Sequence, residues 1–221
     1  MSLNNCNVFG SDDQTDMDKI NALLNLLPML SYETKLGKNL RNTLRKFDKD
    51  ELFLELKDCA NFYRYNVLNH SHLLPIDYRI KSLHSIMIKY DKYYPSTEVK
   101  SCFNDLLGFR ILVQSLDLVF DRLLNITNTN LRVVDLRRGK SNDDGYRAIH
   151  LYYQKSNYHY PIEIQLWNKS DYHFHNWLHK YSYKYLTNDT GVRIRDLFDR
   201  GFIPNEISFL ENLNSILKEK N

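Results

Sequence analysis

The sequence predicts an α+β fold: a mixed β-sheet of about five strands flanked by helices, with N-terminal helices and a C-terminal helix. Three patterns predict this order. Apolar residues recur at helical spacing before Pro95, β-branched apolar runs alternate with a helical stretch from Phe109 onward, and helical spacing returns at the end of the chain. With 221 residues, 43% hydrophobic and 26% charged, the chain has the composition of a folded domain.

The first part of the chain is predicted to be helical after a flexible N-terminal arm. Residues 1–15 are rich in Asn and Ser and show no period, which is typical of a loose arm. Residues 16–70 form the N-terminal helical region. In it we expect a short helix from Asp16 to Leu30, interrupted by Pro28, and a second helical stretch from Tyr32 to Leu68.

Residues 71–200 are predicted to form the sheet-containing core. We expect a helix from Arg79 to Lys92, ended by "YYPST", and a later helix from Lys169 to Tyr185. The predicted strands between them are 109–113, 131–138, 146–154 and 160–167, with a helix over 116–125. The last segment, 201–221, is predicted to be a C-terminal helix whose apolar stripe is Ile207, Leu210, Leu213 and Leu217.

Composition limits where the protein works and what it binds. Three scattered cysteines without CxxC spacing favour neither a disulfide framework nor a zinc site, and no apolar run is long enough for a membrane helix. We therefore expect a cytoplasmic protein. The net charge is only +3, but basic residues cluster, which favours a polyanion as partner, although a solvated charged face is the alternative. The candidate RNA contacts are Lys35, Lys38, Arg41, Arg137, Arg138 and Lys140.

Polar residues recur on one face of the last two predicted strands. Alternation places Glu163 and Gln165 on one face of their strand, opposite the apolar face. The same period places Tyr146 and His150 together on the preceding strand. If the two strands are neighbours, these side chains line one concavity. Each residue alone could equally be an exposed or structural residue of a half-solvated sheet.

A second acid precedes the first predicted strand. Asp105 lies in "DLLGFRI", and the sheet could bring it close to Glu163. Paired carboxylates suit Mg²⁺, a hard cation that also binds substrate phosphates. Cations that could neutralise those phosphates are available nearby, at Arg79, Lys81, Lys89 and Arg110.

Five short motifs, taken in order, resemble a known family. "RIKSLHSIMIK", "DLLGFRI", "DDGYRAIH", "IEIQLW" and "WLHKYSYKY" are similar to the successive motifs of the RelA/SpoT-type alarmone synthetase domain over residues 75 to 185. The chain looks like the small, single-domain synthetases. The resemblance implies a nucleotidyltransferase-like synthetase fold and an ATP-dependent pyrophosphokinase, in which an acceptor 3′-hydroxyl attacks the β-phosphate of ATP and AMP leaves.

The resemblance also implies a role for each candidate residue. Asp105 would hold the catalytic Mg²⁺, with Glu163 as second ligand or as the base that polarises the attacking hydroxyl. Arg79 and Arg110 would hold adenine. Lys81 and Lys89 would bind the ATP phosphates, and Ser82 is a further ATP-binding candidate. Tyr146 would stack on the acceptor base, and His150 and Gln165 would orient the acceptor.

Departures from the family pattern bear on the acceptor. Leu166, Trp167 and Asn168 stand where the family usually has an apolar residue, Arg and Thr, so an arginine expected near the acceptor phosphates is missing. Leu178 replaces an acid in the last motif. The strings "RRGKSNDDGYRAIHLYY" and "EIQLWN" look closer to the toxic branch of the small synthetases, some members of which pyrophosphorylate the tRNA 3′-CCA end.

Three functions therefore stay open from the sequence. The first is a tRNA-directed toxin of a toxin–antitoxin pair, the second is an alarmone synthetase that uses GDP, GTP or an adenine nucleotide, and the third is an RNA-binding module with decayed chemistry. A toxin implies a protein antitoxin, which could bind the N-terminal arm or the C-terminal helix. The alternative for that helix is that its apolar stripe packs on the chain's own sheet.

Overall fold

The computed structural model describes residues 10–70, 76–139, 143–182 and 188–219. Residues 1–9 of the predicted arm lie outside this part of the chain, and the first helix begins at Gly10. The helices are α1 Gly10–Leu30, α2 Lys49–His70, α3 Leu83–Tyr93, α4 Val99–Cys102, α5 Leu116–Leu123, α6 Tyr172–Trp177, α7 Asn188–Asp199 and α8 Glu206–Lys218. The strands are β1 Asp77–Ile80, β2 Leu107–Val113, β3 Leu131–Asp135, β4 Ile149–Tyr153 and β5 Ile162–Asn168.

The five strands form one mixed sheet in the order β1-β2-β5-β4-β3. β2 and β5 are parallel, and the other three neighbouring pairs are antiparallel. The predicted α+β class with a five-stranded mixed sheet is thereby confirmed. In the described residues no helix is long and apolar enough to cross a membrane.

The strand β1 corrects the predicted helix from Arg79. Residues 77–80 pair with β2 in antiparallel register, and Arg79 lies opposite Gly108. The helix begins only at Leu83, because the Ser82 side chain caps it by accepting a hydrogen bond from the backbone N–H of Ser85. The segment before the helix is therefore an edge strand, because it pairs with β2, and local sequence does not show that pairing.

The segment 32–48 is also not the predicted helix. Its backbone is used by the turn between β4 and β5: Thr34 N–H donates to Tyr158 O at 2.7 Å, and Leu40 N–H donates to Asn157 O at 2.9 Å. Between them Gly37 has φ +65°, a left-handed conformation that ends a helical path. Tertiary backbone pairing thus replaced helical hydrogen bonds, while Leu40 and Leu44 are still fully buried.

One face of the sheet packs against α1 and α2. In β2 the residues alternate between buried and half-buried, and Ile162, Ile164 and Leu166 of β5 are fully buried, as the alternation predicted. These side chains join α1 and α2 in the main core. The opposite face is therefore left for the polar residues.

The C-terminal helices form a second core away from the sheet. α8 buries Phe209, Leu213 and Ile216 against Phe174 of α6 and Ile194 of α7. The expectation that the stripe of α8 packs on the sheet is wrong, and Ile207 of that stripe is 70% exposed. The predicted helix 169–185 is divided into a 3-10 turn at 169–171, α6 and a π-helical segment at 178–182. Residues 183–187 lie outside the described chain.

Candidate active site

Strand register aligns polar residues across the whole sheet. Arg79, Gly108, Glu163, Tyr152 and Arg132 lie opposite one another on five successive strands. Directly opposed residues in a sheet point to the same face. One row of side chains therefore crosses the polar face from edge to edge, with Glu163 on its central strand.

A second row lies two residues further along the strands. It contains Asp77, Arg110, Gln165 and His150, on β1, β2, β5 and β4 respectively. β4 and β5 are neighbours, and with that condition met the register confirms that His150, Glu163 and Gln165 lie on one face, as the alternation predicted.

Asp105 stands at the same end of the sheet as Glu163. It precedes β2 by two residues, and the parallel partner β5 begins at Ile162, opposite Leu107. Gly108, opposite Glu163, has no side chain, and a Cβ there would be in van der Waals contact with Glu163 Oε2, at 3.6 Å. The fold thus brings the two acids together.

Asp105 is held by three cations. Lys81 Nζ lies 2.6 Å from Asp105 Oδ2, Lys89 Nζ lies 2.9 Å from Oδ1, and Arg79 Nη2 lies 3.8 Å from Oδ2. Burial by itself raises the pKa of Asp105, but the charge of Lys89 and the hydrogen bond from Lys81 lower it by more. The carboxylate is therefore ionised at neutral pH, surrounded by ammonium groups that could also bind phosphate.

Glu163 is buried, with 6% of its surface exposed, and both of its oxygens are hydrogen bonded. The Tyr152 hydroxyl donates to Oε1 at 3.0 Å, His150 Nδ1 lies 3.2 Å from Oε1, and Gln165 Nε2 donates to Oε2 at 2.9 Å. Burial raises the pKa of Glu163, and the hydrogen bond from His150 lowers it by more, so that the net pKa is lowered. This acid is also ionised at neutral pH.

A hydrogen-bond chain extends from His150 away from the acids. Trp167 Nε1 donates to the Tyr146 hydroxyl at 2.7 Å, and that hydroxyl lies 2.8 Å from His150 Nε2. Every group in this chain has a donor facing an acceptor if the neutral His150 ring carries its proton on Nδ1. Nε2 then accepts from the Tyr146 hydroxyl, and Nδ1–H donates to Glu163. Trp167, at the position of the missing arginine, thus orients the histidine that holds the acid.

Tyr146 lies in the loop before β4, whereas the sequence predicted a strand from this residue. Gly145, with φ +81°, makes the turn that directs it to the sheet. The Tyr146 ring packs against His175, with 4.7 Å between ring centroids. Burial raises the pKa of its hydroxyl. One side of the ring predicted to stack on a base is therefore already in contact with the protein.

A small cavity of about 150 Å³ lies beside Glu163 toward β1. Arg79 and Arg110 line it, together with Gly108 and Gln165. The Arg110 guanidinium lies 3.7 Å over the Trp167 ring, and its Nε has no hydrogen-bond partner within the described residues. Burial lowers the pKa of Arg110. A flat cation facing an open cavity can stack on a purine.

The candidate RNA contacts do not form one surface. Lys38 donates to the Lys46 carbonyl at 3.0 Å, and Lys35 lies over the Tyr32 ring. Arg137 forms ion pairs with Asp117 and Asp135 beyond the end of β3, at the opposite end of the sheet from Glu163. Arg138 lines a separate cavity at that end, Lys140 lies outside the described residues, and Arg41 alone lines a cavity next to the site.

The sequence analysis gave no site role to two residues that act across strands. Tyr152 and Arg132 contact the site through register, and Arg132 lies 4.7 Å over the Tyr152 ring. The alternation that indicated His150 also places Tyr152 on the same face, so the sequence pattern could have identified Tyr152 as a site residue. No such pattern indicated Asn104, which accepts from Lys89 at 3.2 Å.

The residues fit a divalent cation that is shared with substrate. Among the described residues no group of three or more His, Cys, Asp or Glu side chains could hold a metal by itself. Mg²⁺, however, is usually held by one or two carboxylates together with substrate phosphates. Two ionised carboxylates at one end of the sheet, beside phosphate-binding cations, are such a donor set.

Comparisons with known proteins agree with the predicted family. A family model described as the region found in RelA / SpoT proteins matches residues 78–188, about half of the chain and including both acids. The solved structures that match include three of the small alarmone synthetase 1 from Bacillus subtilis. The form bound to its product pppGpp is 22% identical, covering 77% of this chain and 90% of that chain, with a TM-score of 0.39.

The other two structures have similar values. One is of the synthetase with no ligand named, at 19% identity, 68% and 94% coverage and a TM-score of 0.37. The second is bound to AMPCPP, at 17% identity, 77% and 96% coverage and a TM-score of 0.38. No curated protein matches the chain.

Proposed function

The chain belongs to the RelA/SpoT family, which implies ATP pyrophosphotransferase activity, and we propose that its acceptor is the 3′-hydroxyl of the tRNA 3′-CCA end. The observation that supports the transferase chemistry is that Asp105 and Glu163, both ionised, lie at the same end of the sheet, with Lys81 and Lys89 on Asp105. Phosphoryl-type transfer needs positioning and charge stabilisation more than covalent catalysis, and these groups supply both.

Each side chain has a place in the transfer. Arg79 and Arg110 hold adenine from the small cavity, while Lys81 and Lys89 bind the triphosphate. Ser82 contributes to that region as the cap of α3. With Mg²⁺ bound, Asp105 and Glu163 would supply its carboxylate ligands, and the ion would neutralise charge on the phosphates.

Glu163 also acts on the acceptor. Its ionised carboxylate accepts a hydrogen bond from the 3′-hydroxyl and receives the proton as the oxygen bonds to the β-phosphorus of ATP. The bond from that phosphorus to the α,β-bridging oxygen breaks, and AMP leaves. His150, Tyr152 and Gln165 fix the Glu163 carboxylate, and Tyr146 stands at the acceptor base.

The preference for tRNA rests on sequence and on the surroundings of Trp167. The family pattern has an arginine at position 167, near the phosphates of a free nucleotide. In this chain Trp167 stands there, stacks on Arg110 and donates a hydrogen bond to Tyr146. A modified CCA end cannot be aminoacylated, so the activity would stop translation. We therefore infer a toxin that is restrained by a protein antitoxin. The alternative is a synthetase of (p)ppGpp or (p)ppApp from free GDP, GTP or adenine nucleotides.

The test is transfer of label from γ-labelled ATP in the presence of Mg²⁺ to bulk tRNA or to GTP. We expect label on intact tRNA and none on periodate-treated tRNA, which lacks the 3′-hydroxyl. Asp105→Asn and Glu163→Gln should abolish labelling, whereas Asp121→Asn, which changes an exposed acid on α5, should not. Label found only in a guanosine nucleotide would replace the tRNA acceptor with the alternative. RNA binding without any transfer would indicate a decayed binding module.

A further inference from the structure

A second, larger cavity adjoins the candidate active site on the side of β3 and β4. Its volume is about 670 Å³, within the range of substrate sites. We call it the lateral cleft. The residues that define it are Arg41, Lys100, Asn104, Arg132, Tyr152 and Gln154. It lies across Glu163 from the small cavity of Arg79 and Arg110.

Two residues of the lateral cleft connect it to the acids through hydrogen bonds. Tyr152 lines it and donates its hydroxyl to Glu163 Oε1 at 3.0 Å. Asn104 also lines it and accepts from Lys89 Nζ, the ammonium that lies 2.9 Å from Asp105 Oδ1. A molecule in the cleft would therefore reach the reacting centre from the side opposite the proposed adenine position.

Two guanidinium groups in the cleft have no acidic partner. Within the described residues neither Arg41 nor Arg132 forms an ion pair, and the one acid that lines the cleft, Glu98, lies 3.7 Å from Lys100. The arginines of the cavity at the other end of the sheet differ, since Arg147 and Arg195 pair with carboxylates at 2.7 and 2.8 Å. Cations without a carboxylate are available to bind an anion.

The rest of the lining favours a sugar–phosphate chain over a nucleobase. It consists mainly of amides and hydroxyls, including Asn130 and Ser101. One face of its aromatic side chain, Tyr152, is covered by the Arg132 guanidinium at 4.7 Å, which reduces the surface left for stacking. Bases need such a surface, whereas phosphates and ribose hydroxyls need cations and hydrogen-bonding groups.

We propose that the lateral cleft binds the ribose–phosphate backbone of a polynucleotide acceptor and leads its terminal ribose to Glu163. Arg41 and Arg132 bind successive phosphates, and Lys100 binds at the cleft wall. This inference rests on the proposed function, because it assigns a position to the tRNA that receives the pyrophosphate.

The test compares Arg41→Ala and Arg132→Ala with Arg64→Ala, which removes the same charge from the exposed surface of α2. Labelling kinetics with tRNA should show a KM about tenfold higher for each cleft variant, with the KM for ATP unchanged. In the Glu163→Gln background, each cleft variant should bind tRNA with a weaker dependence on salt. The slope of log K against log salt concentration should fall in magnitude by about 0.7 for each phosphate contact removed. Arg64→Ala should match the parent in both measurements.

The outcomes separate the cleft from the function. If wild-type protein labels tRNA but the cleft variants behave like Arg64→Ala, the cleft assignment fails and the tRNA transferase stands. If the variants raise the KM for GTP and not for tRNA, the cleft holds free nucleotide phosphates, and the backbone assignment fails. If wild-type protein labels GTP and never tRNA, the proposed acceptor fails first, and the cleft assignment fails with it.

Discussion

Replacing Tyr152 with Phe tests how Glu163, the proposed catalytic acid, is held. The change removes only the hydroxyl that donates to Glu163 Oε1 at 3.0 Å, and leaves His150 Nδ1 at 3.2 Å from the same oxygen. A hydrogen bond to a charged group contributes about 1.5–3 kcal/mol. Because His150 still holds that oxygen, we expect the lower end of this range, which is about a tenfold loss in kcat/KM.

The pH profile gives a second, independent readout of the same change. The Tyr152 hydrogen bond lowers the pKa of Glu163, so its loss raises that pKa. More Glu163 is then protonated in acid, and the acid limb of kcat/KM should move to higher pH.

The assay is label transfer from ATP over a pH series, with Tyr153→Phe as control. Tyr153 is the next residue of β4 and points into the core on the other face, so its hydroxyl cannot reach Glu163. That variant should keep both the wild-type rate and the wild-type profile. If Tyr152→Phe also kept both, the conclusion that this hydroxyl holds the acid would be wrong.

Three further predictions concern stability. Glu55→Leu leaves three hydrogen-bond donors without their carboxylate and should lower the free energy of unfolding in urea by about 3 kcal/mol, whereas Glu51→Leu on the exposed side of α2 should change it little. Gly145→Ala places a Cβ 2.7 Å from a backbone oxygen, at a residue with φ +81°. Gly37→Ala, where nothing lies within 4 Å of the added Cβ, should lower the free energy of unfolding by roughly 1–2 kcal/mol, and Gly145→Ala by several times as much. Equal losses for the two variants in urea unfolding would contradict the steric reasoning. Folding lowers the pKa of Asp105, so its ionised form stabilises the protein above the ordinary pKa of 3.8. This contribution is lost as the pH falls through the lowered pKa. The stability difference between wild type and Asp105→Asn should therefore be present at neutral pH and disappear in acid.

Part of the candidate site could be read from local sequence. Alternation alone placed Glu163 and Gln165 opposite the apolar side of β5, and the short motifs indicated the family. The same alternation included Tyr152, yet nothing in the sequence shows that its hydroxyl reaches Glu163, since that contact depends on the pairing of β4 with β5.

The errors in the fold have one physical origin. Residues 32–48 and the start of the predicted helix at Arg79 have apolar and basic residues at helical spacing, but their backbone groups pair with distant segments instead. Helical propensity differs by less than about 1 kcal/mol per ordinary residue, and a few tertiary hydrogen bonds with burial exceed it.

The sequence by itself determined the chemical groups and the faces on which they lie, because side-chain alternation along a strand is a local property of the backbone. It also determined the family, through motifs whose order is fixed along the chain. Only the tertiary structure decided which groups meet: it placed Asp105 and Glu163 at one end of the sheet and separated Arg137 and Arg138 from the site. It also left Arg41 and Arg132 facing one cleft, without an acidic partner in the described part of the chain. Those relations depend on strand order and register, which are set by burial and pairing between segments far apart in the chain.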